Sequence, residues 1–95
     1  MQFKEILWRQ RYAEKIRHQH HVETAEVEES LSKNPFVRLQ ERGRRPGEDL
    51  YVAYGQTAEG RYIVTFLIHK GRGLAMPISA RDMTKKERRY YGSQR

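Results

Sequence analysis

The sequence predicts an α+β fold with two N-terminal helices, an antiparallel sheet of three to four strands and one C-terminal helix. Less polar residues recur at helical spacing near the start of the chain, which predicts helices there. β-branched and aromatic runs, separated by glycine-containing turns, then fill residues 36–78 and predict strands. A chain of 95 residues has room for one hydrophobic core, so we expect a single domain over residues 1–95.

A first helix is predicted over residues 6–20, because every fourth position there is apolar or weakly polar: Trp8, Tyr12, Ile16 and His20. Phe3 and Ile6 also fit a short preceding strand, so the start of this helix stays open. A second, acidic helix is predicted over residues 23–33. It ends at Asn34-Pro35, since the residue before a proline is pushed out of the helical region.

Three apolar runs predict the first strands of the sheet. Residues 36–39 form a short run, and residues 50–54 are rich in β-branched and aromatic side chains. Residues 62–68 lack alternation, which predicts a central strand covered on both faces. Residues 55–60 and 71–73 are expected to form the turns on either side of this strand.

The last strand is predicted from the alternation of Leu74, Met76 and Ile78, which we expect on its one buried face. Pro77 has no N–H to donate to a neighbouring strand. The strand is therefore expected to lie at an edge of the sheet or to bulge at this residue.

The C-terminal helix has a recognisable start. Thr84 and Glu87 have the spacing of a capping box, which predicts a helix over residues 85–93. We expect Glu87, Tyr90 and Tyr91 to face the body of the protein. The opposite side is then a basic face that carries Lys85, Lys86 and Arg89.

Charge gives the first indication of function. Nineteen basic and twelve acidic residues leave a net charge of +7, and charged residues make up 33% of the chain against about 25% in an average domain. Basic and acidic segments alternate along the chain, which predicts a folded body with a positive face. The expected partner is a polyanion, with nucleic acid the first choice. A solvated surface without a partner is the alternative.

Several protein classes are excluded by composition. No stretch approaches the roughly 18 apolar residues of a membrane span. The first residues lack the apolar region of a secretory signal. The chain has no cysteine, which excludes disulfides and thiol chemistry and fits a reducing compartment. We therefore expect a cytoplasmic protein without membrane contact.

Several short motifs stand out along the chain. They are His20-His21-Val22, Asn34-Pro35, the hairpin of residues 54–61, Ile78-Ser79-Ala80-Arg81 and Thr84-Lys85-Lys86-Glu87-Arg88. Together with the order of elements, they resemble the BrnT family, small toxins of type II toxin–antitoxin modules with a RelE-like ribonuclease fold. The resemblance covers nearly the whole chain and is most specific in its C-terminal half.

The resemblance implies a metal-independent endoribonuclease that uses no cofactor and slows translation. It also implies an antitoxin of ribbon-helix-helix type, with operator DNA bound only through the toxin–antitoxin complex. A homodimer, or a complex of two toxins with two antitoxins, is the assembly that it suggests.

Two departures from the family pattern bear on activity. The family usually has Lys-His-Gly-Val at the end of the first helix, whereas this chain has Gln19-His20-His21-Val22. Gln19 thus stands where a phosphate-binding lysine is common, and Pro77 is unusual in its strand. These departures favour an alternative, a non-catalytic module that binds RNA or antitoxin. A DNA-binding regulator is a third hypothesis, but no helix-turn-helix or ribbon-helix-helix pattern supports it.

Four residues are candidates for catalysis. Arg81 is expected to stabilise the charge of the phosphorane-like transition state, with an ion pair to Glu87 or Asp82 as the structural alternative. Glu87 is expected to act as a base or to orient Arg81, although the capping box alone accounts for it. Arg61, before the central strand, and His20, on the apolar stripe, are candidates for phosphate contact and proton transfer. The structural alternative for Arg61 is a surface charge that limits edge pairing, and the alternative for His20 is a hydrogen-bonded core histidine.

The expected RNA-binding residues belong to the C-terminal helix, where cations steer phosphates and an aromatic ring stacks an unpaired base. They are Lys85, Lys86, Arg88, Arg89 and Tyr91. A solvated helix end is the alternative for the cations, and packing is the alternative for Tyr91. His18 and His21 share a helix face but lack a third ligand, so no metal site is expected.

Overall fold

The computed structural model describes all residues from 1 to 95. Five strands and three helices follow one another along the chain. They are β1 (Glu5–Ile6), α1 (Gln10–His20), α2 (Thr24–Ser32), β2 (Phe36–Glu41), β3 (Asp49–Gln56), β4 (Tyr62–Gly71), β5 (Leu74–Asp82) and α3 (Lys85–Ser93). The α+β class is confirmed. No helix is both long enough and apolar enough to span a bilayer.

The sheet is mixed and has five strands in the order β1-β5-β4-β3-β2, which corrects the expected antiparallel sheet of three to four strands. Strands β2 to β5 pair antiparallel, and β1 pairs parallel to β5 through Glu5 and Ile6. The expected first helix over residues 6–20 was too long, since α1 begins at Gln10 and the short strand left open above precedes it. A strand of two residues is too short for hydrophobic alternation to reveal it.

The two faces of the sheet are covered differently. Helices α1 and α2 pack on one face, here called the helix-pair face. Its core consists of Ile16, Val22, Val27, Leu31, Ala53, Ile63, Leu67, Ala75 and Ala80. Helix α3 packs on part of the other face, here called the α3 face, whose core consists of Val52, Tyr54, Val64, Met83 and Tyr91.

Close contact between α2 and the sheet depends on Gly55. A Cβ atom at this position would overlap the backbone carbonyl of Ser30, so only glycine permits the approach. The predicted central position of β4 is confirmed, because it is the middle strand and Ile63, Val64 and Thr65 are fully buried. The expected turn over residues 55–60 is shorter, because β3 extends to Gln56.

Strand β5 has the opposite phase from the prediction. Ala75 and Pro77 are buried, whereas Leu74, Met76 and Ile78 are only partly buried. Small side chains lie under α1 because the helix packs closely on this strand, and the larger ones point to the α3 face. The sequence pattern is misleading here because it assigns the larger apolar residues to the core.

A β-bulge at Ile78 explains how β5 then presents its C-terminal end. Phe66 pairs with Ser79 and Leu67 pairs with Pro77, so Ile78 is an extra residue without a partner. The predicted bulge beside Pro77 is therefore confirmed. The extra residue places Ala80 in the core of the helix-pair face, and the next residue, Arg81, then points to the α3 face.

The β4–β5 connection is a tight turn, as predicted. Arg72 and Gly73 both have positive φ angles, 53° and 77°. This is the pattern of a type I′ hairpin turn, which matches the twist of the strands that it joins.

Candidate active site

Arg81 and Glu87 form a bidentate ion pair at the junction of β5 and α3. The Nη1 atom of Arg81 donates to Oε1 of Glu87 at 2.7 Å, and Nη2 donates to Oε2 at 3.0 Å. Nη1 also donates to the backbone carbonyl of Asp82 at 3.3 Å. The Nε–H and the second hydrogen of Nη2 have no acceptor in the protein. Arg81 therefore retains two donors that point away from Glu87.

The start of α3 fixes the orientation of Glu87. Its Oε1 atom accepts from the backbone N–H of Thr84 at 2.8 Å, while the Thr84 hydroxyl accepts from the Glu87 N–H at 3.1 Å. This confirms the predicted capping box. Glu87 thus both caps the helix and holds the guanidinium of Arg81, which joins two roles that the sequence presented as alternatives.

Both members of the pair are charged at neutral pH. The hydrogen bonds from Arg81 lower the pKa of Glu87 below 4.5, although partial burial acts in the opposite direction. The carboxylate in turn raises the pKa of Arg81. The side chains are 34% and 22% exposed, so solvent reaches the pair and a ligand can approach it.

An open cleft of about 400 Å³ adjoins Glu87. It is lined by Arg38, Tyr54, Lys86, Glu87 and Tyr90. Arg38 reaches the cleft from β2, where its Nη2 donates to the Tyr54 hydroxyl at 3.3 Å. Tyr90 packs edge-on against Phe36 and Tyr54, with ring centroids 5.7 and 5.3 Å apart, and remains 36% exposed.

The cleft therefore combines three cations, one carboxylate and one exposed aromatic ring. Arg38 and Lys86 line the cleft, Arg81 adds a third positive charge through its pair with Glu87, and Glu87 is the only acid among the lining residues. This set of side chains suits a phosphate together with the nucleobase next to it. A divalent cation prefers several oxygen ligands and finds only one carboxylate here.

Comparison with protein families supports this interpretation of the cleft. A family profile described as ribonuclease toxin, BrnT, of type II toxin–antitoxin system matches residues 8–87. The chain belongs to the BrnT family. The matched region includes Arg38, Arg81 and Glu87, whereas Tyr90 lies beyond it. No curated protein matches the chain.

Membership of the BrnT family confirms the resemblance of the sequence motifs. The family consists of ribonuclease toxins, so its substrate is RNA and its members act with an antitoxin. The substrate class of this family is a polyanion, which agrees with the partner predicted from the charge of the chain.

The Arg61 side chain lies on the helix-pair face, away from Arg81. It donates to Asp82 at 2.7 Å, to Glu26 at 2.9 Å and to the backbone carbonyl of His21 at 2.9 Å. The hydrogen bond to Asp82 is the main cause of a raised Arg61 pKa. Arg61 thus links the hairpin, α2 and the end of β5, and its predicted phosphate contact stays a prediction.

His20 ends α1, which packs on the helix-pair face, and it is partly buried. Neither imidazole nitrogen of His20 has a hydrogen-bond partner in the protein. The structure therefore does not bring it together with Arg81 and Glu87. The chain also contains no cluster of three or more His, Asp or Glu side chains arranged to hold a metal.

The basic residues of α3 do not form one face. Lys86 lines the cleft, whereas the Arg88 guanidinium lies 4.1 Å from the centroid of the Tyr62 ring. Arg88 and Arg89 line a separate depression of about 230 Å³ next to Tyr62. Lys85 is exposed and makes no side-chain contact with a partner. Among the predicted RNA-binding cations, Lys86 alone borders the cleft.

The expectation that Tyr91 stacks a base needs correction. Tyr91 is 3% exposed and packs edge-on against Tyr62, with ring centroids 6.2 Å apart, so its ring faces are not available. The neighbouring Tyr90, expected to face the body, is exposed at the cleft instead. A helix turns by about 100° per residue, which separates the two tyrosines.

Arg38 lines the cleft, although no sequence motif predicts it as a site residue. It precedes Glu87 by 49 positions and belongs to an edge strand whose predicted extent, residues 36–39, included it without a role. The register that pairs Arg38 with Val52, a residue of the α3-face core, places it on this face. Strand alternation beside the apolar Phe36 is the only signal that points to it.

Proposed function

We propose that this BrnT-family chain is a metal-independent endoribonuclease whose active site is the cleft beside the Arg81–Glu87 pair. The main support is the geometry of Arg81, which keeps two free donors while it is bonded to Glu87, and Glu87 lines the cleft together with Lys86 and Arg38. A scissile phosphate that binds there meets positive charge where its transition state becomes more negative.

In the proposed reaction, the ribose 2′-hydroxyl attacks the adjacent phosphorus. Glu87 Oε2 accepts the hydroxyl proton, and Arg81 stabilises the charge on the non-bridging oxygens. The bond between phosphorus and the 5′-oxygen breaks as Lys86 donates a proton to that oxygen. The products are a 2′,3′-cyclic phosphate and a free 5′-hydroxyl.

Substrate binding also makes Glu87 a better base. Its pKa is low mainly because Arg81 donates two hydrogen bonds to it. A phosphate that draws the Arg81 donors towards itself weakens these bonds, and the pKa of Glu87 then rises towards its ordinary value. The proton is therefore accepted only when the phosphate is in place.

The rest of the cleft selects the form of the RNA. Tyr90 presents part of its ring to solvent beside Lys86, and an unpaired base can stack on it. Arg38 contacts the phosphate on the other side of this base. We therefore expect single-stranded RNA as the substrate, with translation slowed when the toxin is free.

The same proposal includes the partner and the location. We propose an antitoxin of ribbon-helix-helix type that neutralises the toxin in the cytoplasm. Operator DNA is bound only through the toxin–antitoxin complex, and two toxins combine with two antitoxins. Family membership supports the antitoxin, and the motif resemblance supports its type.

The test is cleavage of a purified RNA in EDTA by the wild type and by Arg81→Ala, with identification of the product ends. Arg45→Ala, which removes an exposed arginine from the β2–β3 loop, serves as the control. We expect cyclic phosphate ends from the wild type and the control, and almost no product from Arg81→Ala. Absence of cleavage by folded wild type, or dependence on a metal, contradicts the proposal.

One observation favours the second candidate, a non-catalytic module that binds RNA or antitoxin. Arg81 and Glu87 already satisfy each other through two hydrogen bonds, which is sufficient for a purely structural pair. In that case the folded wild type binds RNA without product. Arg81→Ala then lowers only the salt dependence of binding.

A further inference from the structure

Helix α1 carries two cations and a histidine on its outward side that the proposed function does not use. Arg11, Lys15 and His18 follow one another at spacings of four and three residues, so they lie on one side of the helix. We call these three residues the α1 basic row. Arg11 and His18 are exposed and Lys15 is partly buried. The row belongs to the helix-pair face, on the other side of the sheet from Arg81.

The charges of the row are not neutralised within the protein. The three salt bridges of the chain involve only Arg61 and Arg81 as cations. The one acidic residue of α1, Glu14, accepts a hydrogen bond from Gln10 at 2.9 Å. Arg11 and Lys15 are like charges four residues apart, an arrangement that destabilises a helix.

The position of Arg11 is unfavourable in a second way. The N-terminal end of a helix is the positive end of its dipole, where acidic residues stabilise and cations destabilise. The first turn of α1 has no acidic residue, whereas Arg9 is the N-cap and Arg11 lies in that turn. The helix thus carries Arg11 at a cost in stability, which indicates a function outside the fold.

Tyr12 holds two of these cations in place. The Arg11 guanidinium lies 4.7 Å and the Lys15 ammonium 5.5 Å from the centroid of the Tyr12 ring. Nη2 of Arg11 also donates to the Tyr12 hydroxyl at 3.1 Å. Two long side chains are thereby ordered before any ligand arrives, which lowers the entropy lost on binding.

We propose that the α1 basic row binds the phosphate backbone of single-stranded RNA at a second site, outside the cleft. With a rise of about 1.5 Å per residue, the row is about 10 Å long. A strand with one charge per about 3.4 Å places three phosphates along that length. A single straight row fits one strand better than the two strands of a duplex.

The edge of the sheet leaves a route between the two sites. Strand β1 pairs with β5 only at Leu74 and Ala75, so β5 has no strand neighbour on its outer side from Met76 to Asp82. An RNA strand that leaves the cleft near Arg81 can turn around this edge towards α1. The proposal takes RNA from the family's substrate class, but it does not require cleavage.

The test measures binding to a fluorescent 2′-O-methyl RNA of about 20 nucleotides, which cannot be cleaved because its 2′-oxygens are blocked. At about 3.4 Å per phosphate its stacked length is about 70 Å, twice the 34 Å length of the protein. The variant is Arg11→Gln/Lys15→Gln. The control is Arg44→Gln/Arg45→Gln, which removes the same charge from an exposed loop.

We expect the α1 variant to bind about tenfold more weakly, with the slope of log affinity against log salt reduced by about 1.4, or about 0.7 for each lost contact. The control variant keeps the wild-type slope. A strand of about five nucleotides, short enough for the cleft alone, binds the wild type and the α1 variant equally. The α1 variant also unfolds at the same or a higher temperature, because like-charge repulsion has been removed.

An unchanged affinity of the α1 variant overturns the proposal. So does an equal loss in the control variant, which shows an effect of net charge alone, or a loss that is seen with duplex DNA and not with RNA. Cleavage of the unmodified strand by the same samples tests the proposed function separately, so either proposal can fail without the other.

Discussion

Arg61 and Arg81 are both held by carboxylates, but they lie on opposite faces of the sheet and differ in what remains free. Arg61 uses its Nε–H and both Nη1 hydrogens, with Nη2 also bonded, to join Asp82, Glu26 and the His21 carbonyl. Arg81 contacts one carboxylate and one carbonyl and adjoins an open cleft. The first arginine connects segments of the fold, whereas the second has donors left for a ligand.

The difference shows that the partners of an arginine indicate its role better than its pKa does. The pKa of each guanidinium is raised mainly by the hydrogen bonds that it donates to a carboxylate, Arg61 to Asp82 and Arg81 to Glu87. Both pKa values are raised, although the surroundings of the two arginines differ. Free donors and neighbouring cations distinguish a binding site from a structural ion pair.

Cleavage by Arg61→Ala and Arg81→Ala gives the largest expected contrast. Loss of Arg81 is expected to lower the cleavage rate by about 10²–10³-fold, the usual effect of removing one transition-state donor. Folded Arg61→Ala should keep cleavage within about tenfold of the wild type, measured well below its unfolding temperature. Equal losses in both variants would contradict the division of roles, and Arg61 would then belong to the active site as first predicted.

The two variants should rank in the opposite order for stability, with Arg61→Ala the more damaging, when thermal and denaturant unfolding are measured. Arg61→Ala removes charged hydrogen bonds that join three segments, and we expect a loss of about 2 kcal/mol in the free energy of unfolding. In a domain of this size, that corresponds to a fall in Tm of about 10 °C. Arg81→Ala removes hydrogen bonds that join only the adjoining ends of β5 and α3 and should cost less than about 1 kcal/mol. A larger loss in Arg81→Ala would indicate that its pair is mainly structural.

Lys85 and Lys86 form a matched pair on α3. Lys86 lines the cleft, whereas the neighbouring Lys85 contacts no partner. Lys86→Ala is expected to lower the cleavage rate by about tenfold or more, since it removes a cation and the proposed acid. Lys85→Ala serves as the control and should leave the rate within about twofold. A similar fall in both variants would mean that the helix acts through its net charge.

Acid should lower the stability that the ion pairs of Arg61 with Asp82 and Glu26 contribute, because both carboxylates then become protonated. The pKa of Asp82 is lowered mainly by Arg61, and that of Glu26 by the Glu23 backbone N–H and then by Arg61. A lowered pKa contributes stability above the ordinary values of 3.8 and 4.5. That contribution is lost as the pH falls through the lower folded values.

The measurement is Tm from pH 6 down to about pH 3 for the wild type and Arg61→Ala. The wild type should lose stability more steeply in the acid range, because the variant has already lost the part of the contribution that comes from Arg61. Glu87 contributes in the same direction in both proteins and is therefore a shared background. Parallel curves would show that Arg61 does not hold these carboxylates in solution.

The parts of the site that could be predicted depend on short-range signals. Thr84 and Glu87 are three residues apart, and their capping box follows from local hydrogen bonding. Arg81 was correctly expected at the end of a strand just before this helix. The α+β class likewise follows from local periodicity, which changes from helical to alternating after Pro35.

The parts that could not be predicted depend on long-range pairing. Strand β1 exists only because β5 passes beside it, and the phase of β5 changes at a bulge that no sequence period reveals. Arg38 reaches the cleft through the register of β2 against β3. Tyr90 and Tyr91 are adjacent and alike, so only the placement of α3 on the sheet decides which one is buried.

Because β5 contains one extra residue, the sign of the charge beside the cleft depends on the number of residues between Pro77 and Arg81. Pro77 and Ala80 lie on the same face although three positions separate them, because Ile78 interrupts the alternation. Deletion of one residue between this point and Arg81 would restore regular alternation and turn the guanidinium towards the core. Asp82 would then point to the cleft, and an anion would repel the substrate phosphate. Loss of a single codon in this short stretch should therefore be more damaging than almost any substitution, since it reverses the sign of the site while the residues of the strand remain nearly the same.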